Sequence, residues 1–242
     1  MQAHPENYQQ DSKLFEQSPF YEQMATTYAG KKKSEVIEAL SKPYVLKTHL
    51  NRYELADRPE KPIYIARNPL DAALSSFFHA GRDLCNDPDY KPWHLKSACA
   101  NLMPWTNHIK DWHDFNEDEK QPLFLTYEEM QKDYYSVLLK LCNFCEIDPA
   151  KIDFEKVKQY TSFSEMKKIE ETLNHPTSGA PLKNFCRNGT IGDWKNHLRP
   201  DMVKMVYDQY YDHGIDKYYG SLEDWADMHD WIKEHPTFNQ KS

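Results

Sequence analysis

Glycine is scarce in this chain, at seven of 242 residues, and no Gly/Ser-rich tract, long proline run or internal repeat divides it. That argues against modules on flexible tethers and for one core over residues 1–242. No apolar run approaches the ~20 residues of a membrane span. The start, Met1-Gln2-Ala3-His4-Pro5-Glu6, is polar and unlike a secretory leader, so a cytoplasmic setting is expected. Basic charge is in deficit, with 30 Lys and Arg against 38 Asp and Glu, a net charge of −8. Such a surface disfavours nucleic-acid and anionic-membrane partners. The run Lys31-Lys32-Lys33 is short and reads as a solvated helix start. Five cysteines, an odd number, point to reduced thiols more than to a disulfide framework. Cys142-x-x-Cys145 has no second pair and no HExxH occurs, so a site of about four metal ligands is not expected. A GxxxxGKS or GxxxxGKT loop is also lacking, which excludes the usual phosphate loop of nucleotide kinases.

What is present is aromatic and patterned. Aromatic residues make up 14% of the chain, enough for a core and for ring-lined pockets. Residues 1–42 are polar and helix-leaning until Pro43. Tyr44-Val45-Leu46, Ile63-Tyr64-Ile65-Ala66 and Leu123-Phe124-Leu125 read as short strands, the last two each feeding a helix. The helix after the second carries start signals: Asn68 as cap, Pro69 at the first position and Asp71 three residues after the cap. Residues 81–92 read as loop. Trp105, Ile109 and Trp112 then mark one helix face, and Val137, Leu138, Leu141 and Phe144 another. Helical patterns return at 149–159, 164–173 and 200–211, and Leu222, Trp225, Met228 and Trp231 suggest one more amphipathic helix. Strands alternating with helices predict an α/β fold with a mainly parallel sheet.

Two of the seven glycines fall in Arg187-Asn188-Gly189-Thr190-Ile191-Gly192-Asp193-Trp194-Lys195. Glycine permits positive φ and close approach of backbone to a ligand, and an arginine beside bare N–H groups is a common anion-binding device. Arg67 follows a strand and precedes a helix, at the strand end where open α/β sheets bind ligands. Glu128 and Glu129 are adjacent, so their carboxylates point apart.

Five segments, in order, resemble the cytosolic sulfotransferase family. Arg187 to Lys195 is similar to its RKGxxGDW signature, and Tyr64 to Phe78 to YVARNPKDVxVSxY. Lys47-Thr48-His49-Leu50 resembles KTHLP, Leu123 to Met130 resembles LFLxYEDM, and Thr161 to Lys167 resembles TSFxxMK. The likeness covers about residues 43–215, with 1–42 divergent and 216–242 a helical tail. It implies a P-loop-NTPase-like α/β fold and sulfuryl transfer from 3′-phosphoadenosine 5′-phosphosulfate, without a metal, to a small acceptor. By resemblance, His49 is the general base, a role suited to an imidazole with an unperturbed pKa of ~6.5, and Lys47 stabilises charge near the sulfuryl group. Arg67, Ser75, Arg187, Asn188 and Gly189 would hold the 3′-phosphate, and Tyr127, Thr161 and Phe163 would frame the adenosine. Asn188 stands where the family has Lys, which removes one positive charge.

The family's TYPKSGTTW-like loop and the strand before it have no match in residues 1–42. The chain is therefore expected to lack the first core strand and its 5′-phosphosulfate loop, and a truncated or non-catalytic derivative is the alternative reading. In the dimerisation motif KxxxTVxxxE, Lys195 is kept but Arg199, Pro200 and Lys204 replace the rest, so a dimer through it is not expected. The acceptor loops fall near 81–105 and 174–186. Phe77, Phe78, Tyr90 and Trp93 favour an apolar or aromatic acceptor, though core packing accounts for them equally well.

Overall fold

The computed structural model describes residues 61–80, 87–114, 121–172 and 186–239, all within the unit Lys61–Ser242. The expected strand at Tyr44 to Leu46, Lys47, His49 and the N-terminal segment lie outside the described residues.

Two four-residue runs of aliphatic and aromatic side chains form β1 (Ile63–Ala66) and β2 (Leu123–Thr126). They pair in parallel, with Ile63 opposite Leu123 and Ala66 opposite Thr126. A parallel pair needs a long crossover. Here it contains α1 (Pro69–Ala80), α2 (Tyr90–Ala100) and α3 (Met103–His113). Tyr64 of β1 packs on Phe124 of β2 and on Trp112 of α3, and its hydroxyl is 2.9 Å from Nδ1 of His108. Ile109 is fully buried and Trp112 nearly so, as the i, i+4, i+7 spacing predicts.

After β2 come α4 (Tyr127–Lys132), α5 (Tyr134–Phe144), α6 (Phe154–Tyr160) and α7 (Phe163–Thr172). Their starts follow the chemistry of their caps. Thr126 and Glu129 form a reciprocal capping box on α4, Asp133 accepts from the Ser136 amide, and Asp153 from the Lys156 amide. The last third of the chain supplies α8 (Pro200–Asp212), which turns Met202, Val203, Val206 and Tyr210 inward, each at most 1% exposed. Gln209 of α8 donates to the Cys99 carbonyl at 2.9 Å and accepts from the Leu102 amide at 3.1 Å, fastening α8 to the α2–α3 junction.

The sequence expectations fail at three places along the helices. The helical pattern at 149–159 is a short 3-10 turn, Pro149–Lys151, and then α6 from Phe154 with Asp153 as its cap. Helix α2 begins at Tyr90, inside the stretch read as loop. The Asp87 side chain accepts from the Asp89 and Tyr90 amides, and Pro92 falls in the first turn, where no intrahelical N–H is lost. The single amphipathic helix expected over 222–231 is two helices, α10 (Leu222–Ala226) and α11 (Met228–Glu234), preceded by the short α9 (Asp216–Tyr219). The break is Asp227, whose φ of +51° is left-handed. Leu222, Met228 and Trp231 are nonetheless buried, because each short helix turns its own apolar side inward.

Candidate functional site

Because β1 and β2 run parallel and in register, the residues that follow them leave the same end of the sheet side by side. Arg67 follows Ala66 and Tyr127 follows Thr126. The Arg67 guanidinium carbon lies 4.6 Å from the centre of the Tyr127 ring, a cation–π contact. The next pair is joined as well. The Asn68 amide donates to Glu128 Oε1 at 3.0 Å, and Asn68 Oδ1 accepts from the Leu70 amide at 2.9 Å. Asn68 is thus the cap of α1. Asp71 does not complete a capping box, since Glu128 has already taken the amide it would need. Burial raises the Glu128 carboxyl above its ordinary range. Glu129, by contrast, is exposed and serves the α4 cap, so the adjacent carboxylates do point apart.

The glycine-bearing loop crosses this strand end. Gly189 and Gly192 have φ of +69° and +77°. The Tyr127 hydroxyl donates to the Gly189 carbonyl at 2.5 Å, and Arg67 Nη2 donates to the Thr190 carbonyl at 3.2 Å. A Cβ on Gly189 would stand 2.7 Å from Cδ2 of Phe163, so only glycine allows this approach to the ring. Phe163 itself is 42% exposed. The Asp71 carboxylate, 1% exposed, accepts the Gly192 amide at 2.7 Å and the Trp194 amide at 3.0 Å.

The remaining candidates lie around this centre. Arg187 donates to Asp193 Oδ2 at 2.5 Å, and its guanidinium lies 4.2 Å over the ring of Phe78 on α1. Ser75, exposed, sits one turn before Phe78 on that helix. Asn188 is exposed and accepts from the Thr190 hydroxyl at 2.8 Å, so its side chain turns back on its own loop. Thr161 ends α6, donates to the Val157 carbonyl at 2.9 Å and bonds the Tyr134 hydroxyl at 2.9 Å. The structure therefore brings Arg67, Tyr127, Phe163 and Gly189 into direct contact. Arg187 meets Phe78, three residues along α1 from Ser75, and Thr161 precedes Phe163 by two residues.

Charge at the site is balanced locally. Burial opposes ionisation of Asp193, but hydrogen bonds from Arg187, Asn196 and Asn188 outweigh it and hold the carboxyl at about 2. Burial also lowers His197, whose Nε2 is 3.6 Å from Asp193, and raises Tyr127. Two guanidiniums, positive-φ glycines and a half-exposed aromatic ring make a surface able to hold a phosphate-bearing aromatic ligand. Among the described residues, no group of His, Cys, Asp or Glu could hold a metal ion.

Sequence reasoning missed the buried acids Asp71, Glu128 and Glu170 as site builders. All three lie within helices, and no signal in the sequence marks their partners, which are remote backbone N–H groups.

A model of the family described as "Sulfotransferase domain" matches residues 2–230, including the N-terminal segment where no phosphosulfate-loop pattern is evident. Sulfotransferase 2A6 of Rattus norvegicus is 35% identical over 63% of this chain and 56% of its own length. Sulfotransferase 1C2 of Homo sapiens is 32% identical over 68% of this chain and 59% of its own. The chain thus spans somewhat over half the length of these curated relatives. Among solved structures, mouse sulfotransferase SULT7A1 complexed with PAP superposes with a TM-score of 0.63 at 29% identity, covering 81% of this chain and 74% of that one. Retinol dehydratase, at 22% identity and a TM-score of 0.59, shares the fold. Since the family model takes in nearly the whole chain, the chain belongs to the sulfotransferase domain family.

Proposed function

We propose that the chain binds 3′-phosphoadenosine 5′-phosphosulfate at the β1–β2 strand end and transfers its sulfuryl group to a hydroxyl or amine of a small apolar or aromatic acceptor. The observation that carries this reading is the meeting of Arg67, Tyr127, Phe163 and Gly189, which come from four separate segments of sequence. Arg67, Ser75, Arg187, Asn188 and Gly189 are assigned to the 3′-phosphate, and Tyr127, Thr161 and Phe163 to the adenosine. The mouse relative solved with PAP supports the choice of nucleotide. A cytoplasmic setting goes with this reading, and no helix among the described residues is long and apolar enough to cross a membrane.

In the transfer, the acceptor oxygen or nitrogen attacks sulfur. The bond between sulfur and the 5′-phosphate oxygen breaks, and 3′-phosphoadenosine 5′-phosphate leaves. The acceptor proton passes to His49, and Lys47 stabilises charge on the sulfuryl group. Calorimetric titration with 3′-phosphoadenosine 5′-phosphate tests the reading. Saturable binding that is lost in Arg67→Ala is expected, whereas a folded chain that does not bind would overturn it. In an assay with the sulfuryl donor, His49→Ala should still bind nucleotide and lose turnover.

A further inference from the structure

The segment 186–194, which carries Arg187 and Gly189, is held near both of its ends by buried carboxylates from two different helices. At its start, the Cys186 amide donates to Glu170 Oε2 at 2.8 Å, and Glu170, on α7, is 7% exposed. At its end, Asp71 on α1 takes the amides of Gly192 and Trp194. Trp194 is fully buried and meets Trp231 edge to face, so the second anchor is also packed into the core. Between the anchors the loop meets the strand end through the Gly189 and Thr190 carbonyls and meets α1 through the Arg187 guanidinium over Phe78.

The chemistry of the anchors differs from that of the middle. An ionised carboxylate accepting backbone N–H groups in a buried setting makes a charge-assisted bond, roughly twice as strong as a neutral one. Asp71 does more than hold the loop, because its Oδ2 is also 3.9 Å from Arg67 Nη2. One side chain thus fixes the spacing between Arg67 and the loop that bears Arg187. Nothing in the transfer step needs either acid.

We infer that Asp71 and Glu170 are positioning residues, which hold residues 186–194 as a strap pre-formed for the nucleotide. This rests on the nucleotide-binding reading above. Without the anchors, the loop would be ordered only on binding, and affinity would fall by that ordering cost.

The test uses the full chain with Asp71→Asn and Glu170→Gln. Two readouts are hydrogen exchange of the amides in 186–194 and calorimetric affinity for 3′-phosphoadenosine 5′-phosphate. Each variant is expected to speed loop exchange about tenfold or more while the α8 amides stay protected, and to weaken binding by roughly tenfold. Wild-type exchange in the loop of Glu170→Gln, the variant on the more exposed helix, would overturn the inference, even where Asp71→Asn unfolds α8 as well. Faster loop exchange with unchanged affinity would also overturn it. If wild-type chain fails to bind while the loop loosens in the variants, the nucleotide reading falls and the anchoring stands.

Discussion

The Tyr127 hydroxyl reaches across 62 residues of sequence to donate to the carbonyl of Gly189. The same ring carries the Arg67 guanidinium on its face, so one side chain touches two of the proposed phosphate contacts. Tyr127→Phe keeps the ring and removes only the hydroxyl. Net stability should drop by about 1 kcal/mol, the usual worth of one internal hydrogen bond, seen as a small shift in thermal midpoint. Nucleotide affinity should fall by roughly five- to tenfold. An unchanged affinity would mean that the bond to Gly189 is not part of the binding surface.

Gly189→Ala faces two obstacles, a φ of +69° and a Cβ 2.7 Å from Phe163. The backbone term alone costs about 1 kcal/mol. The steric term is relieved only by moving Phe163, the ring proposed to stack on the base. Calorimetry should therefore show loss of nucleotide binding greater than the modest loss of stability found in denaturant. Equal and small losses in both would place Phe163 outside the base site.

Trp194 closes the anchored loop onto the core and is fully buried against Trp231. Trp194→Ala should destabilise the chain by about 3–5 kcal/mol, as large cavities do, with the loss read from urea unfolding. A change under 1 kcal/mol would show that the core collapses around the gap.

Asp193 supplies a defined acid sensitivity. Its carboxyl ordinarily titrates near 3.8 and is held at about 2 in the folded chain. A depressed native pKa stabilises the fold above the unfolded value, and that contribution disappears as pH falls from about 4 through about 2. Its size is on the order of 2 kcal/mol. Asp193→Asn should be less stable near neutral pH and should lose less on acidification over that window. Parallel stability–pH curves for the two chains would show that the pair with Arg187 does not shift the carboxyl.

Much of this site was legible in the sequence. Strands β1 and β2 announced themselves as short apolar runs, and Asn68-Pro69 marked the start of α1 by cap chemistry. Arg67 and Tyr127 could be placed at strand ends for that reason, and parallel register then makes them neighbours. What could not be read was the destination of side chains whose partners are remote backbone N–H groups. Asp71 has the spacing of a cap residue, yet its bonds go to Gly192 and Trp194. Glu170 looks like any acid on a polar helix, and its bond goes to the amide of Cys186, 16 residues further on. Asp227 broke a helix that its apolar spacing had joined, because a single left-handed residue leaves hydrophobic periodicity nearly intact. The proposed base, His49, lies outside the described residues.

The Asp71 bonds set an order of events during synthesis. Helix α1 emerges early, but the amides that Asp71 accepts are 121 and 123 residues further on. Such distant pairings close late in folding, after more local contacts have formed. A ribosome-bound chain that ends before Trp194 therefore carries Asp71 without its full set of partners, and cannot display the assembled strand end. Because Trp194 in turn packs on Trp231, nucleotide binding by nascent chains of increasing length would appear abruptly only once the segment through Trp231 has cleared the exit tunnel, and would serve as a clock for completion of the fold.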